Sequence, residues 1–296
     1  MVKNAFRTVG AKRGRSFWAS LGLHGTLSAA ALISILPAIL IFFNSFKSDE
    51  QIKSSKGLSL LPETWTLDGY HQVLTENDGE FLTWFRNSIF VALVTMAIGV
   101  FLSATAAYVL SRFIFPGRKS VLNFFLVTQM FPAAILLVPI YQILVRFPIF
   151  HFSMLDSVPG LLLAYSTIAV PFCTWMLKGF FDGIPKELDE AGALDGLSPF
   201  GIFRRIIFPL ALPGIAVTCF FTFITAWNEV AFANVVAISP EHYTLPVGLR
   251  TYIFQFDQAW QKLSVSAVLV TVPSLMIFLF AQRFLVSGML RGAVKG

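Results

Sequence analysis

The chain has 296 residues, of which 56% are hydrophobic and only 13% are charged, and its formal net charge is +6. Soluble domains carry about 25% charged residues, so this composition excludes an ordinary soluble protein and predicts a helical membrane protein. Lys and Arg in membrane-flanking loops account for the positive charge, and no basic patch of the nucleic-acid-binding kind is visible. We therefore expect contact with membrane lipid and no nucleic-acid partner.

Six apolar stretches follow one another along the chain, each long enough to cross the hydrocarbon core as a helix. A basic segment, 1–15, precedes the first, and a loop with seven acidic residues separates the first from the second. The predicted spans are 17–43, 84–110, 121–145, 158–180, 209–237 and 263–286. These stretches predict an all-α integral membrane protein with six transmembrane helices.

The distribution of Lys and Arg orients these spans. With the N-terminus inside, the inside segments hold fifteen of the 22 Lys and Arg residues and the outside segments hold seven. Cytoplasmic loops are the ones enriched in these residues. The count predicts that both termini are cytoplasmic and that the polar segment between the fourth and fifth spans also faces the cytoplasm.

That polar segment, residues 185–209, has the pattern of two short helices joined by a turn. Pro185 can start the first helix, and Gly196 suits a left-handed position after its end. Ser198 can cap the second helix, which we expect Pro209 to end or kink. Two helices this short cannot bury their own apolar side. The helix-turn-helix segment therefore needs a surface to lie against, either the membrane or another protein.

Motifs for catalysis are absent from the sequence. There is no Gly-rich phosphate-binding loop ending in Lys-Ser or Lys-Thr, and no His, Cys, Asp or Glu cluster has metal-ligand spacing. The cysteines, Cys173 and Cys219, lie inside apolar runs and form no disulfide framework. We expect no catalytic residue, no metal site and no cofactor in this chain, so energy for any transport has to come from a partner.

Polar residues inside spans are costly in lipid and are therefore candidates for function. Gln129 lies in the predicted third span, and Trp227, Asn228 and Glu229 lie in the predicted fifth span. These four residues could line a translocation pathway. They could equally make contacts between helices or subunits, and the sequence leaves both interpretations open.

The helix-turn-helix segment also follows the spacing Glu-Ala-Ala-x3-Gly-x9-Ile-x-Leu-Pro. The matching residues are Glu190, Ala191, Gly192, Gly196, Ile206 and Pro209. Gly192 stands at the second alanine of the pattern, and Phe208 stands at its leucine. This spacing resembles the cytoplasmic signature loop of the permeases of bacterial ATP-binding cassette (ABC) importers.

The resemblance extends over most of the chain from the second span onward. The turn that follows the second span in this family is resembled by Ala107, Tyr108, Arg112 and 115–118. Residues 129–132 and 227–229 are similar to carbohydrate-importer permeases. Those most similar to maltose and maltodextrin permeases of the MalG type are 243–245, Val247, Gly248, 281–283 and 294–296. The first 80 residues match least specifically.

The resemblance implies a non-catalytic permease subunit in the bacterial inner membrane, importing maltose or maltodextrins by alternating access. It implies a second permease of the MalF type, an ATPase homodimer of the MalK type that binds ATP and Mg²⁺, and an extracytoplasmic sugar-binding protein. A permease for another oligosaccharide such as trehalose is the near alternative. An ion-coupled sugar carrier, which would need internal repeats and several intramembrane acids, is the alternative from a different class.

The resemblance also assigns roles along the chain. It implies ATPase coupling by Glu190, Ala191, Gly192, Asp195, Gly196, Ile206 and Pro209, and C-terminal ATPase contact by Val294, Lys295 and Gly296. The outer loop 239–262 corresponds to one that reaches the binding protein. The expected divisions are 1–46 (N-terminus and first span), 47–83 (external loop), 84–290 (transmembrane core with coupling loop 182–208) and 291–296 (cytoplasmic tail).

Overall fold

A computed structural model describes residues 17–54, 59–146, 153–253 and 259–293, and the regular elements in these ranges are all helical. The helices are α1 (Phe17–Asn44), α2 (Asp49–Lys53), α3 (Asp68–Thr75), α4 (Glu80–Arg112), α5 (Arg118–Met130), α6 (Ala133–Val145), α7 (Val158–Asp182), α8 (Glu187–Leu194), α9 (Pro199–Ile202), α10 (Phe208–Trp227), α11 (Ala231–Val236), α12 (Leu245–Gly248) and α13 (Trp260–Ala293). The tail residues Val294, Lys295 and Gly296 lie outside the described ranges.

Five helices of the described ranges, or six if one bent pair is counted as a span, are long and apolar enough to cross a membrane. Single spans are formed by α1, α4, α7, α10 with α9 before it, and α13. The prediction of an all-helical membrane protein is therefore confirmed. The bent pair, α5 and α6, decides whether the number of spans is five or six.

The predicted third span, 121–145, corresponds to a bent pair of helices in the structure. Its two halves, α5 and α6, meet at an angle of 105°. The break falls at Phe131 and Pro132, because proline has no N–H with which to continue the hydrogen-bond ladder. Pro139, by contrast, stays inside α6 without ending it.

The predicted fifth span, 209–237, has different ends in the structure. The helix runs without interruption from Pro199 to Trp227, so Pro209 does not end it. A π turn over Phe203–Ile207 precedes Pro209, and this wider turn leaves room for the proline ring against the previous turn. The helix ends at Trp227, and after three non-helical residues the short helix α11 follows.

The bundle is organised around α4, α7 and α10, which pack on one another. α13 lies against α10, and α1 contacts the rest of the bundle mainly through α13. The buried positions of α4 include a stripe of small residues at helical spacing: Ser88, Ala92, Thr95, Gly99, Ser103, Ala107 and Ser111. Small side chains let helix backbones approach closely, which is how helices associate in lipid.

Two buried apolar clusters occupy opposite ends of this bundle. One includes Trp84, Phe223 and Trp227 and lies at the end that carries α12, which we call the α12 end. The other includes Tyr108 and Phe181 and lies at the end that carries α8, which we call the α8 end. Between them the buried side chains are smaller, and an internal space remains there.

Candidate functional site

A cavity of about 230 Å³ lies between α4, α7 and α10, in the middle of the bundle. Its lining residues are Thr95, Gln129, Tyr165, Ile168, Ala169, Phe172, Thr222, Thr225, Ala226 and Glu229. The Thr95 hydroxyl is buried and has no hydrogen-bond partner among the described residues. Because a buried polar group without a partner is costly, this hydroxyl is suited to a water or ligand hydroxyl in the cavity.

The structure brings together only two of the four residues predicted for a pathway. Gln129 and Glu229 both line the cavity, although Gln129 lies on α5 and Glu229 lies between α10 and α11. Trp227 is 2% exposed and stacks on Phe223 in the apolar cluster. Asn228 points elsewhere, because its side-chain amide donates to the carbonyl of Ile224 on its own helix.

Glu229 does not lie inside a membrane-spanning helix, contrary to the prediction. Its two carboxylate oxygens accept the backbone N–H groups of Phe232 at 2.9 Å and Ala233 at 3.1 Å, so it caps the start of α11. Its backbone carbonyl accepts the Tyr165 hydroxyl at 3.4 Å. The acid thus comes from the residues between α10 and α11, and the N–H groups that it binds belong to the first turn of α11.

The helix-turn-helix segment has the local structure that its sequence predicts. Gly196 has a φ of +78°, which confirms the left-handed position. The N–H of Gly196 donates to Ala193 and the N–H of Leu197 donates to Gly192, both at 3.0 Å, which is the Schellman pattern. Ser198 caps α9 by accepting the N–H of Gly201. The first helix begins at Glu187, two residues later than the predicted start at Pro185.

Gly192 has a packing role that sequence reasoning missed. It is buried where α8 meets the following helix, and a Cβ on it would lie 2.8 Å from Ile206 Cδ1 and 3.1 Å from Ile202 Cγ1. An alanine here would require these isoleucines to shift. Glycine in place of the pattern's second alanine therefore brings the two helices of the segment closer together.

The opposite face of the segment is left uncovered. Leu194 is 90% exposed and Phe200 is 67% exposed. Glu190, Ala191 and Asp195 are also exposed on this face. An apolar face with adjacent charges, carried on helices that pack closely on their other side, has the character of a protein-docking surface.

At the α12 end, an acidic residue fixes the loop that follows α11. The Asp156 carboxylate accepts the N–H of Ile238 at 2.8 Å and the N–H and hydroxyl of Ser239 at 2.9 and 2.6 Å. Burial alone would raise the pKa of Asp156, but these hydrogen bonds and the nearby His242 lower it to about 2. The sequence pattern singled out none of these residues.

This loop is also fixed to the first turns of α4. Trp84 Nε1 donates to the carbonyl of Pro240 at 3.1 Å, and Asn87 Nδ2 donates to the carbonyl of Tyr243 at 3.1 Å. The Ser88 hydroxyl accepts the N–H of Leu245 at 2.7 Å. Residues 238–245 are therefore bound to both α4 and the residues just before α7.

Comparison with known proteins places this geometry in context. A family model described as "Binding-protein-dependent transport system inner membrane component" matches residues 99–291, which is more than half of the chain. The chain is 32% identical over 276 residues to the inner membrane ABC transporter permease protein YcjP of Escherichia coli, covering 93% of this chain and 96% of that protein.

Two further relatives carry substrate names. The chain is 34% identical to the trehalose transport system permease protein SugB of Mycobacterium tuberculosis, covering 97% of this chain and all of that protein. It is 33% identical to the maltose/maltodextrin transport system permease protein MalG of Vibrio parahaemolyticus, covering 94% and 96%. Among solved structures, a chain of a bacterial ABC transporter involved in alginate import matches with a TM-score of 0.76 at 22% identity, covering 93% of this chain and 99% of that chain, which shows a shared fold.

We predict that Asp156→Ala loosens the outer loop without unfolding the bundle. The change removes the acceptor of two backbone N–H groups, so exchange of the Ile238 and Ser239 amides should accelerate roughly tenfold or more. Hydrogen–deuterium exchange on the purified protein measures this. Glu241→Ala, an exposed acid of the same loop, is the matched control. Equal exchange in both variants would contradict the role of Asp156.

The pH dependence of this contact has a defined sign. The folded pKa of about 2 lies below the ordinary value of 3.8, so the stabilising contribution of the carboxylate is complete above pH 4. It declines progressively below pH 4 and is fully lost once the pH has fallen through 2. Amide protection that depends on Asp156 should therefore still be present at the mildly acidic end of the range in which exchange is measured.

Proposed function

This chain belongs to the family of binding-protein-dependent transport system inner membrane components, and we propose that it is the permease subunit of an ABC importer for an α-linked glucose oligosaccharide. Near full-length similarity to permeases named for trehalose and for maltose supports this proposal. Maltose and maltodextrins are our first candidate substrates, and trehalose is the second. Membership of a binding-protein-dependent family argues against the ion-coupled carrier.

Energy for transport would come from a separate ATPase homodimer of the MalK type, docked on the helix-turn-helix segment. The exposed Leu194 and Phe200 support this, because they give the segment an apolar face that another protein can bury. Glu190 is exposed on the same helix and would contact the ATPase, while Gly196 makes the turn that presents it. The excess of Lys and Arg supports a cytoplasmic position for this segment and for both termini.

The remaining partners follow from the same proposal. A second permease of the MalF type would complete the pathway, and an extracytoplasmic binding protein would deliver the sugar to the outer loop. The C-terminal residues Val294, Lys295 and Gly296 would contact the ATPase pair. Transport then proceeds by alternating access, in which ATPase closure moves the spans as rigid bodies.

The central cavity is the candidate pathway in this subunit. It holds the amide of Gln129, the carboxylate of Glu229 and the Thr95 hydroxyl next to aromatic rings, and this hydroxyl has no partner within the part of the chain that the structure describes. Sugar hydroxyls match amide, carboxylate and hydroxyl groups in hydrogen bonding, and sugar faces pack on aromatic rings. Trp227 and Asn228 would act only through packing, because neither lines the cavity.

The transport function is tested by reconstitution. The chain should copurify with an ATPase and a second permease, and proteoliposomes containing them and the binding protein should take up labelled maltose or trehalose only when ATP is supplied. Both sugars are offered separately, with lactose as the control. Uptake of sugar by this chain alone, without ATP, would refute the importer function, and uptake of trehalose only would refute the maltose assignment.

We predict that Gly196→Val separates ATP hydrolysis from sugar uptake. A β-branched residue is strained at a φ of +78°, by about 1–2 kcal/mol, so the turn between α8 and α9 should change shape. The readout is sugar taken up per ATP hydrolysed in the reconstituted complex.

Gly196→Asn is the matched control, because asparagine tolerates the left-handed region and a Cβ at this position meets no atom within 4 Å. The Gly196→Asn variant should keep most of the wild-type sugar uptake per ATP hydrolysed, while the Gly196→Val variant should lose it. If the two variants transport equally well at equal expression, the turn has no part in coupling.

We predict that Gln129→Ala alters the sugar preference, because it removes an amide from the cavity wall. Loss of one hydrogen bond of this kind typically costs about 0.5–1.5 kcal/mol, a several-fold change in KM. Asn228→Ala is the control, since that side chain bonds its own helix. If the Gln129→Ala and Asn228→Ala variants have the same KM for maltose and the same KM for trehalose, Gln129 is only a packing residue.

A further inference from the structure

The last turn of α4 carries three polar side chains on one face, Tyr108, Ser111 and Arg112. Residues three and four apart lie side by side on a helix, so these three point the same way. The Ser111 hydroxyl donates to Asp182 Oδ1 at 2.6 Å, at the end of α7. The Tyr108 hydroxyl donates to the carbonyl of Pro199 at 3.2 Å, at the start of α9. The Tyr108 and Ser111 side chains, which share one turn of α4, thus bind the two ends of the stretch 182–199.

Arg112 holds the middle of that segment. Its Nη2 donates to the carbonyl of Ile184 at 3.0 Å, and its Nε lies 3.1 Å from Asp189 Oδ2 on α8. The side chains of Arg112 and Asp189 are only 6% and 20% exposed, so water screens this ion pair little. Nη2 thus binds the residues before α8 by a hydrogen bond, while the guanidinium charge holds Asp189 by electrostatic attraction, with no hydrogen bond between the two side chains.

Apolar packing acts at the same place. The Tyr108 ring lies 4.9 Å from the Phe203 ring, centroid to centroid, and 6.5 Å from the Phe181 ring. Ile202 and Ile207 are buried in the same cluster. The surface of the helix-turn-helix segment that faces away from Leu194 is therefore bonded and packed to a single turn of α4.

The other end of α4 makes the contacts with the outer loop through Trp84, Asn87 and Ser88. Thr95, between the two ends, lines the cavity. At 1.5 Å per residue, Thr95 lies about 25 Å along the helix from Arg112. The continuous helix α4 therefore contacts the helix-turn-helix segment, the cavity and the outer loop.

We infer that α4 and the helix-turn-helix segment move as one rigid unit, and that Arg112 is the positioning residue that joins them. The inference rests on the proposed function and adds to it the route by which ATPase movement reaches the cavity and the outer loop. Docking on α8 displaces α4 directly, through Asp189 and Arg112, without passing along the chain through α10.

The test measures the distance between α8 and α4 in the whole complex of both permeases, the ATPase and the binding protein. Spin labels are placed at the exposed positions Ala193 and Val109, with Cys173 and Cys219 replaced by alanine. In the unsubstituted segment, the distance between labels should change by less than about 2 Å between the nucleotide-free and vanadate-trapped states.

Arg112→Ala should release α8 from α4, so that the distance distribution broadens and shifts in the trapped state. Sugar uptake per ATP hydrolysed should then fall about tenfold, a loss within the usual range of coupling between sites. Arg112→Lys keeps the charge for Asp189 but loses the planar fork, and should restore the ratio in part. Lys119→Gln, an exposed cation of the adjoining helix, is the control and should leave both readouts unchanged.

Asp189→Asn removes the ion pair with little change in side-chain shape. It is the second test variant if the complex that contains Arg112→Ala does not assemble. A shift of several ångströms between the labels on trapping, in an intact complex with the native Arg112, would overturn the rigid unit. So would full coupling in both Arg112→Ala and Asp189→Asn. Absence of any ATPase from the purified complex would overturn the proposed function and this inference with it.

Discussion

The close packing of α4 against α7 determines where both ends of the molecule lie. A Cβ on Gly99 would lie 3.4 Å from the Cβ of Ala169 and 3.5 Å from Cys173 Sγ, so larger residues would separate the helices. The Ser103 hydroxyl donates to the carbonyl of Val170 on the facing helix at 2.9 Å. Apolar surface gains little by leaving lipid for protein, so small residues and such hydrogen bonds supply the association. α10 then packs on the pair that they form.

This arrangement explains why the cavity lies where it does. Large aromatic residues such as Trp84 and Phe223 fill one end of the bundle, and Tyr108 and Phe181 fill the other. Small residues in the middle keep the helices close without filling the space between α4, α7 and α10. Packed ends with an underfilled middle suit a protein whose helices move as bodies, because packed cores shift between discrete arrangements rather than deforming continuously.

The sequence was sufficient where local chemistry decides the structure. Gly196 and Ser198 specify a turn and a cap whatever surrounds them, and both occur as predicted. It was insufficient where helices break within apolar runs. Pro132 lies at a break while Pro139 stays inside its helix, although both lie within the same predicted span. Whether a proline breaks a helix in lipid depends on neighbours that can satisfy the freed backbone groups, and the sequence does not show these neighbours.

Glu229 shows the same limitation at the site itself. Its position in a long apolar run predicted an acid inside a membrane helix, with pathway lining and packing as alternatives. In the structure it does both, because it lines the cavity while its two oxygens accept backbone N–H groups of α11. At the far end of α11, the carbonyl of Val236 accepts the N–H of Asp156 at 2.7 Å, and the carboxylate of Asp156 binds the loop that follows. A carboxylate bound in this way holds the cavity wall to the loop that follows α11.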